Sequence, residues 1–255
     1  MYGDAGEQGG LASVHYLGDV PFDTFDSYAT SLFTDAVRLR PTEVLVAGGA
    51  GRYTVESYSA NGRQIQFCGH GALAAAFVVF EQLEDVAVSV NFFNHYQCWQ
   101  AQRSAHGEMA LRYNRPAVVE CPIPDFAESV LGTPPIGAAA SGGSAGYLLL
   151  VVPDAATVQN LQPDLQQLAA STDCALIVTA FDAAEAVCFF RYFAPQYGTL
   201  EDTATGSAAV QLTAFWQARL RISDIRLRQL SAGGALLAAA CHGDEVELSA
   251  RVGYR

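Results

Sequence analysis

Twice in this chain a β-rich stretch runs into a tight glycine turn and then into an apolar helix. The first copy is YSANGRQIQFCGHGALAAAFVVFEQ, from Tyr58, and the second is YFAPQYGTLEDTATGSAAVQLTAFWQ, from Tyr192. With Gly71 placed on Gly206, Tyr58 and Tyr192 fall one residue out of register, and the helices end in parallel as Phe80-Glu81-Gln82 and Phe215-Trp216-Gln217. A repeated strand–turn–helix unit predicts two similar halves, each a β-rich shell around one helix. The 255 residues accommodate this as one large domain or two ordinary ones. The boundary is expected near residues 115/116. There the stretch from Arg115 to Gly146 brings five prolines and then AAASGGSAG, a composition suited to a domain crossing and an exposed loop.

Around the repeat, strands are expected at Tyr53–Ser59, Glu108–Tyr113, Tyr147–Val152, Ala175–Val178, Ala186–Phe193 and Leu236–Ala240. Helices are expected at Gly71–Glu84, Pro124–Leu131, Pro163–Ala170 and Gly206–Arg219. The fold class is α+β. The arginines of ARLRISDIRLR alternate at period 2 and read as a half-exposed strand following the second helix.

Charge and residue usage exclude several functions. A formal charge of −12 disfavours nucleic acid and anionic lipid. All fourteen basic residues are Arg and none is Lys, which removes internal Schiff bases and the GxxxxGK[ST] phosphate loop. No apolar run approaches the ~20 residues that span a bilayer, and the opening MYGDAGEQGG has no leader pattern. The expected location is the cytoplasm. The six cysteines are scattered without a CxxC pair, so neither zinc nor a redox dithiol is implied. Apart from Cys68, they read as buried free thiols.

The chemistry is expected at the two turns. Helix N-termini present unpaired N–H groups and the positive end of the dipole, and glycine lets a ligand reach that backbone. Two such turns facing each other across a cleft would grip a carboxylate from both sides. One turn carries Cys68-Gly69-His70-Gly71 and the other Glu201-Asp202-Thr203-Ala204-Thr205-Gly206-Ser207. Thiol, imidazole, carboxylate and hydroxyl groups beside an anion site suit proton transfer.

These residues carry a family resemblance. FCGHGALAAAFVVFE and FAPQYGTLEDTATGSAA resemble the two signatures of the phenazine biosynthesis PhzF-like isomerases, and LQPDLQQLAASTDCALIVTA and GDEVELSARV are similar to that family as well. The resemblance implies a diaminopimelate epimerase-like fold, with two β-barrel-like halves around central helices (residues 1–115 and 116–255) and the site in the cleft between them. It implies isomerisation of a small cyclic or amino-acid-like carboxylate without metal or cofactor, in a homodimer. By the same resemblance Glu43 is the acid/base carboxylate, matching the family's S-E-T-T-F segment. His70 and Asp202 orient the substrate, while Gly69, Gly71, Gly206 and Ser207 hold its carboxylate. Glu56 is the other candidate carboxylate, but inside YTVESYS it reads as the polar face of a strand. The chain departs from the family in lacking a GNP-containing strand in residues 1–40 and in carrying Gln64 and Gln66 before the turn.

CGHG also resembles the first thiol motif of cofactor-independent proline racemases. On that reading Cys68 is reactive, and its partner in the Gly71–Gly206 register is Thr203. An amino-acid racemase or epimerase using Cys68, and a non-catalytic binding protein of the same fold, are the alternative functions.

Overall fold

The computed structural model describes residues 12–253, apart from 26, 28, 30–41, 60–61, 63, 66–67, 84–87, 104–107 and 223. The MYGDAGEQGG start, most of the segment before Thr42, and Gln66 lie outside the described residues.

The N-terminal half contains β1 (Ala12–Tyr16), β2 (Thr42–Gly49), β3 (Arg52–Tyr58), β4 (Gln64–Ile65), a long helix (Gly69–Gln82), β5 (Ser89–Phe93), β6 (Cys98–Arg103) and β7 (Met109–Asn114). The C-terminal half contains β8 (Val119–Cys121), β9 (Gly137–Ser141), β10 (Tyr147–Val151), β11 (Ala175–Asp182), β12 (Val187–Phe193), a second long helix (Gly206–Leu220), β13 (Asp224–Gln229), β14 (Ala235–His242) and β15 (Glu245–Ala250). Short helices at Ala127–Leu131, Ala155–Asn160 and Leu165–Ser171 lie in the second half.

Strand pairing bears out the two-fold pattern. In the first half β1 is parallel to β2, β2 antiparallel to β3, β3 parallel to β5, β5 antiparallel to β6, and β6 antiparallel to β7. Strands β10 to β15 repeat the same series of orientations. In each half the long helix is the crossover between the second parallel pair, a connection that parallel strands require. The last strand of each half, β7 and β15, pair with each other, so the described strands form one continuous 15-stranded sheet. Its path is open, ending at β1 and β8, so each half is a curled shell rather than a closed barrel.

Both long helices lie inside these shells. The second is buried continuously from Gly206 to Trp216, and the first buries Ala72, Leu73, Ala75, Ala76, Val79 and Phe80. A helix enclosed on all sides is apolar all round, and its many alanines bring the sheet close. A single core joins the helices to both shells, from Val44 and Val46 through Phe92 and Trp99 to Phe190 and Leu248. A second layer, formed by the short helices, covers Leu148, Leu150, Leu176 and Val178. Asp154 and Asp164 cap two of those helices by accepting from the backbone N–H of Thr157 and Gln167.

Three sequence readings change. The arginine cluster divides: Arg219 lies in the last turn of the second long helix, Arg221 is its left-handed cap at φ 57°, and only Arg226 and Arg228 lie on the exposed face of β13. Among the five cysteines other than Cys68, only Cys188 is buried, because the others fall at sheet rims and loops. Glu56 is buried rather than solvent-facing, next to Gln64 and His95. No helix among the described residues is long and apolar enough to cross a membrane.

Candidate functional site

The two long helices begin against each other. A Cβ placed on Gly69 would lie 2.7 Å from Gly206 Cα and 2.9 Å from Ser207 N. The residues before the helices adopt nearly the same backbone, φ −116° and ψ 93° at Cys68 and φ −106° and ψ 93° at Thr205. Neither makes a side-chain cap, so no cap side chain occupies the first-turn N–H groups of either helix at the junction. The structure therefore aligns Gly69, not Gly71, with Gly206. The counterpart of Cys68 is Thr205 rather than Thr203, because helix starts and not the second glycine define the repeat. Gly71 has its own role: a Cβ there would come within 2.9 Å of both Cys68 Sγ and Ser57 Oγ.

Cys68, His70 and Asp202 gather at this junction. Cys68 Sγ is 3.8 Å from His70 Nδ1, and the other ring nitrogen of His70 is 2.9 Å from Thr42 Oγ1. Burial alone would drive the imidazole toward neutrality, but the charges of Cys68 and Asp202 beside it raise its pKa to about 9. For the Cys68 thiol, burial opposes ionisation, and the His70 charge and hydrogen bond with the Gly71 N–H outweigh it, so the thiol pKa is lowered. The His70 imidazolium offsets the charges of Cys68 and Asp202, and the free N–H groups of the two helix N-termini suit a carboxylate ligand. Tyrosines complete the surroundings. The Ser207 side chain is hydrogen-bonded to the Tyr147 hydroxyl, and burial holds Tyr113, Tyr147 and Tyr192 in the protonated form.

Asp202 is held by residues that sequence inspection missed. Its carboxylate accepts from Thr205 Oγ1 at 2.8 Å, and its backbone N–H donates to Tyr192 O. The buried Gln229 amide donates to Asp202 O and accepts from Thr205 N–H. Arg191 grips neighbouring Glu201 in a bidentate pair at 2.7 and 2.9 Å and also donates to Leu161 O. Apart from Thr205, three residues from Asp202, these partners are 10 to 30 residues apart in sequence, and only the polar residues inside apolar strands hinted at them. Breaking a buried ion pair leaves an uncompensated charge. Arg191→Met is therefore expected to cost about 3 kcal/mol in urea denaturation and to lower activity by displacing Asp202.

The structure does not bring Glu43 to this junction. Side chains alternate along β2. Thr42 reaches His70, and Val44 packs over Gly71 and the first helix, so Glu43 points to the opposite face. On that face lie Leu45, Ala47, Tyr58 and Phe25, and Glu43, 6% exposed, meets His15 Nε2 at 2.8 Å. Glu56 is the register partner of Leu45 and shares the outer face, where burial raises its carboxyl pKa against the opposing contacts of Gln64 and His95. The side chain on the site face is Thr42, and a one-residue offset along a strand is sufficient to make that exchange. Glu43→Gln is accordingly expected to keep proton-exchange activity within about two-fold while costing about 1–3 kcal/mol of stability through the altered His15 contact. A hundred-fold loss of activity in a folded variant would return the base role to Glu43.

Known proteins are similar to this chain in sequence and in fold. A family model described as phenazine biosynthesis-like protein matches residues 52–240. The chain is 30% identical over 211 residues to an uncharacterized isomerase of Vibrio cholerae, a match covering 76% of this chain and 67% of the relative. It is 29% identical over 186 residues to an uncharacterized isomerase of Pseudomonas aeruginosa, covering 73% and 69%. In fold it is similar to a PhzF-family phenazine biosynthesis protein of Enterococcus faecalis, with a TM-score of 0.78, 23% identity and coverage of 97% and 91%. It is also similar to a protein of Pseudomonas aeruginosa described as a predicted epimerase, with a TM-score of 0.62, 15% identity and coverage of 93% and 89%.

Proposed function

Because this chain belongs to the phenazine biosynthesis-like protein family, we propose that it is a cofactor-independent isomerase that moves a proton on a small carboxylate-bearing metabolite. The observation that carries this reading is the meeting of two helix N-termini at Gly69 and Gly206 beside Cys68, His70 and Asp202. The substrate carboxylate binds the N–H groups around Gly69 and Gly206. Removing a proton from a nearby carbon leaves an electron pair that delocalises toward that carboxylate. The fixed N–H dipoles and the His70 imidazolium stabilise the developing charge, and because they are already oriented they need no reorganisation. Asp202, anchored by Thr205, keeps His70 protonated and receives polar groups of the substrate. The tyrosines at the junction supply apolar ring surface with hydroxyl donors, which suits a compact unsaturated or cyclic acid. As in the family resemblance, the working unit is a homodimer in the cytoplasm.

Proton exchange in D₂O tests this reading. The full-length protein is incubated with a panel of small carboxylates, including dihydro-hydroxyanthranilate and common α-amino acids, and deuterium at carbon is followed by NMR. Incorporation at an allylic or ring carbon, with appearance of the isomer, is the expected result. Incorporation at an α-carbon with loss of optical activity would replace the isomerase by a racemase. Carboxylate binding without exchange would make the protein a binder of the same fold.

A further inference from the structure

The arginines of β13 have no part in the junction. Ile225 and Leu227 of that strand face the core, so Arg226 and Arg228 lie on its outer face. They border a groove of about 600 Å³, a volume within the range of small-molecule sites. Strand register builds its floor in two rungs, Val187–Arg226–Ala238 and Phe189–Arg228–Leu236. No residue of the short helices lines the groove, because that layer covers β10 and β11. Apolar side chains thus flank each arginine, and Leu236 is 43% exposed. Arg226 donates to Glu185 O at the rim, and Arg251 pairs with Glu108 at 3.3 Å. Arg228 has neither a hydrogen bond nor an ion pair among the described residues. With 26 acidic residues to 14 arginines in the chain, its lack of a partner does not come from a shortage of carboxylates.

Charge and floor together define what fits. A guanidinium beside apolar surface holds a carboxylate or sulfonate whose hydrocarbon part lies on the floor. The Phe189 ring and the Leu236 side chain on either side of Arg228 suit an aromatic or branched hydrocarbon part. The net charge of −12, and Glu108 and Glu185 at the rim, oppose a polyanion. A second copy of the chain fits less well, since across a two-fold axis the patch would meet itself and set these arginines against like charges. We propose that this groove is a second binding site, for a small apolar monoanion such as an aromatic or branched aliphatic acid. It is separate from the junction. Gln229 follows Arg228 but points to the inner face, where it bridges Asp202 and Thr205. Binding in the groove needs no turnover at the junction.

The test uses the full-length protein and anilinonaphthalene sulfonate, an aromatic monoanion whose fluorescence rises on apolar surface. Titration is expected to show one saturable site per chain. Phenylbutyrate is expected to compete about ten-fold more strongly than uncharged phenylbutanol, because only the acid makes a charge-assisted hydrogen bond. Arg228→Gln and Leu236→Asp alter exposed side chains and are each expected to weaken binding by about ten-fold or more, with an unchanged circular dichroism spectrum. His70→Asn, at the junction, and Arg52→Gln, whose guanidinium stacks on Phe93 in the first half, are expected to bind like wild type. Absence of saturable binding by the wild-type protein overturns the proposal. So does binding that survives both groove variants, that is lost in His70→Asn, or that does not distinguish the acid from the alcohol. Sedimentation velocity is expected to give the same oligomeric state for wild type and Leu236→Asp. A dimer that Leu236→Asp dissociates would assign the face to a second copy and overturn the ligand site.

Discussion

Gly69→Ala is expected to abolish measurable proton exchange and to lower the melting temperature by about 5–10 °C. The added Cβ would lie 2.7 Å from Gly206 Cα and 2.9 Å from both Gly206 C and Ser207 N. All three are backbone atoms, so no side-chain rotation relieves the contact. The two helix N-termini must separate, and the carboxylate site is built from their abutment. Overpacking a tight contact typically costs about 1–3 kcal/mol and occasionally more, and in a chain of this size each kcal/mol moves the melting temperature by about 2–4 °C. Gly137→Ala is the control, since its Cβ would meet only Val151 side-chain atoms at 3.7 and 3.8 Å. Calorimetry and D₂O exchange on the two variants are expected to diverge; a Gly69→Ala protein with wild-type exchange would show that the junction is not the site.

His70→Asn is expected to reduce exchange by about 10²- to 10³-fold, the usual cost of losing one preorganised group that stabilises transition-state charge. In the wild-type protein, activity is expected to fall as pH rises through about 9, where the imidazolium loses its proton. Stability behaves differently from activity. The His70 pKa is raised from 6.5 to about 9, so its contribution is complete below pH 6.5 and is lost as pH climbs through about 9. The Cys68 pKa is lowered from 9.0, so its contribution is complete above pH 9.0 and is lost as pH falls through the lowered value. Between pH 6.5 and 9 the two slopes oppose each other, and the net effect of the pair on stability is nearly flat. Urea denaturation across this window is therefore expected to show little pH dependence from the pair, while the exchange rate changes steeply at the upper edge. An exchange rate that stays constant through pH 9 to 10 would remove His70 from the reaction.

The duplicated halves could be read from the chain because their signal is local. A strand, a glycine turn and a helix dense in alanine occupy consecutive residues, and their recurrence implies a repeated shell without any knowledge of long-range pairing. The Cys68–Gly71 and Asp202–Ser207 segments could be assigned to one site for the same reason, since a glycine at a helix start marks close approach of another group. Glu43 could not be placed this way. Its face depends on the pairing of β2 with β1 and β3, and one residue of register separates the His70 side from the His15 side. Glu56 reads as a surface carboxylate because alternation shows which residues share a face but not what covers that face. The repeat register needed the observed helix starts, where Gly69 meets Gly206. The Arg191–Glu201 clamp and the Gln229 bridge join strand residues to a turn distant in sequence, so only folding brings their polar atoms within bonding distance. Local backbone preference thus set the architecture and the two turns, while strand register and long-range packing selected the side chains that face the substrate.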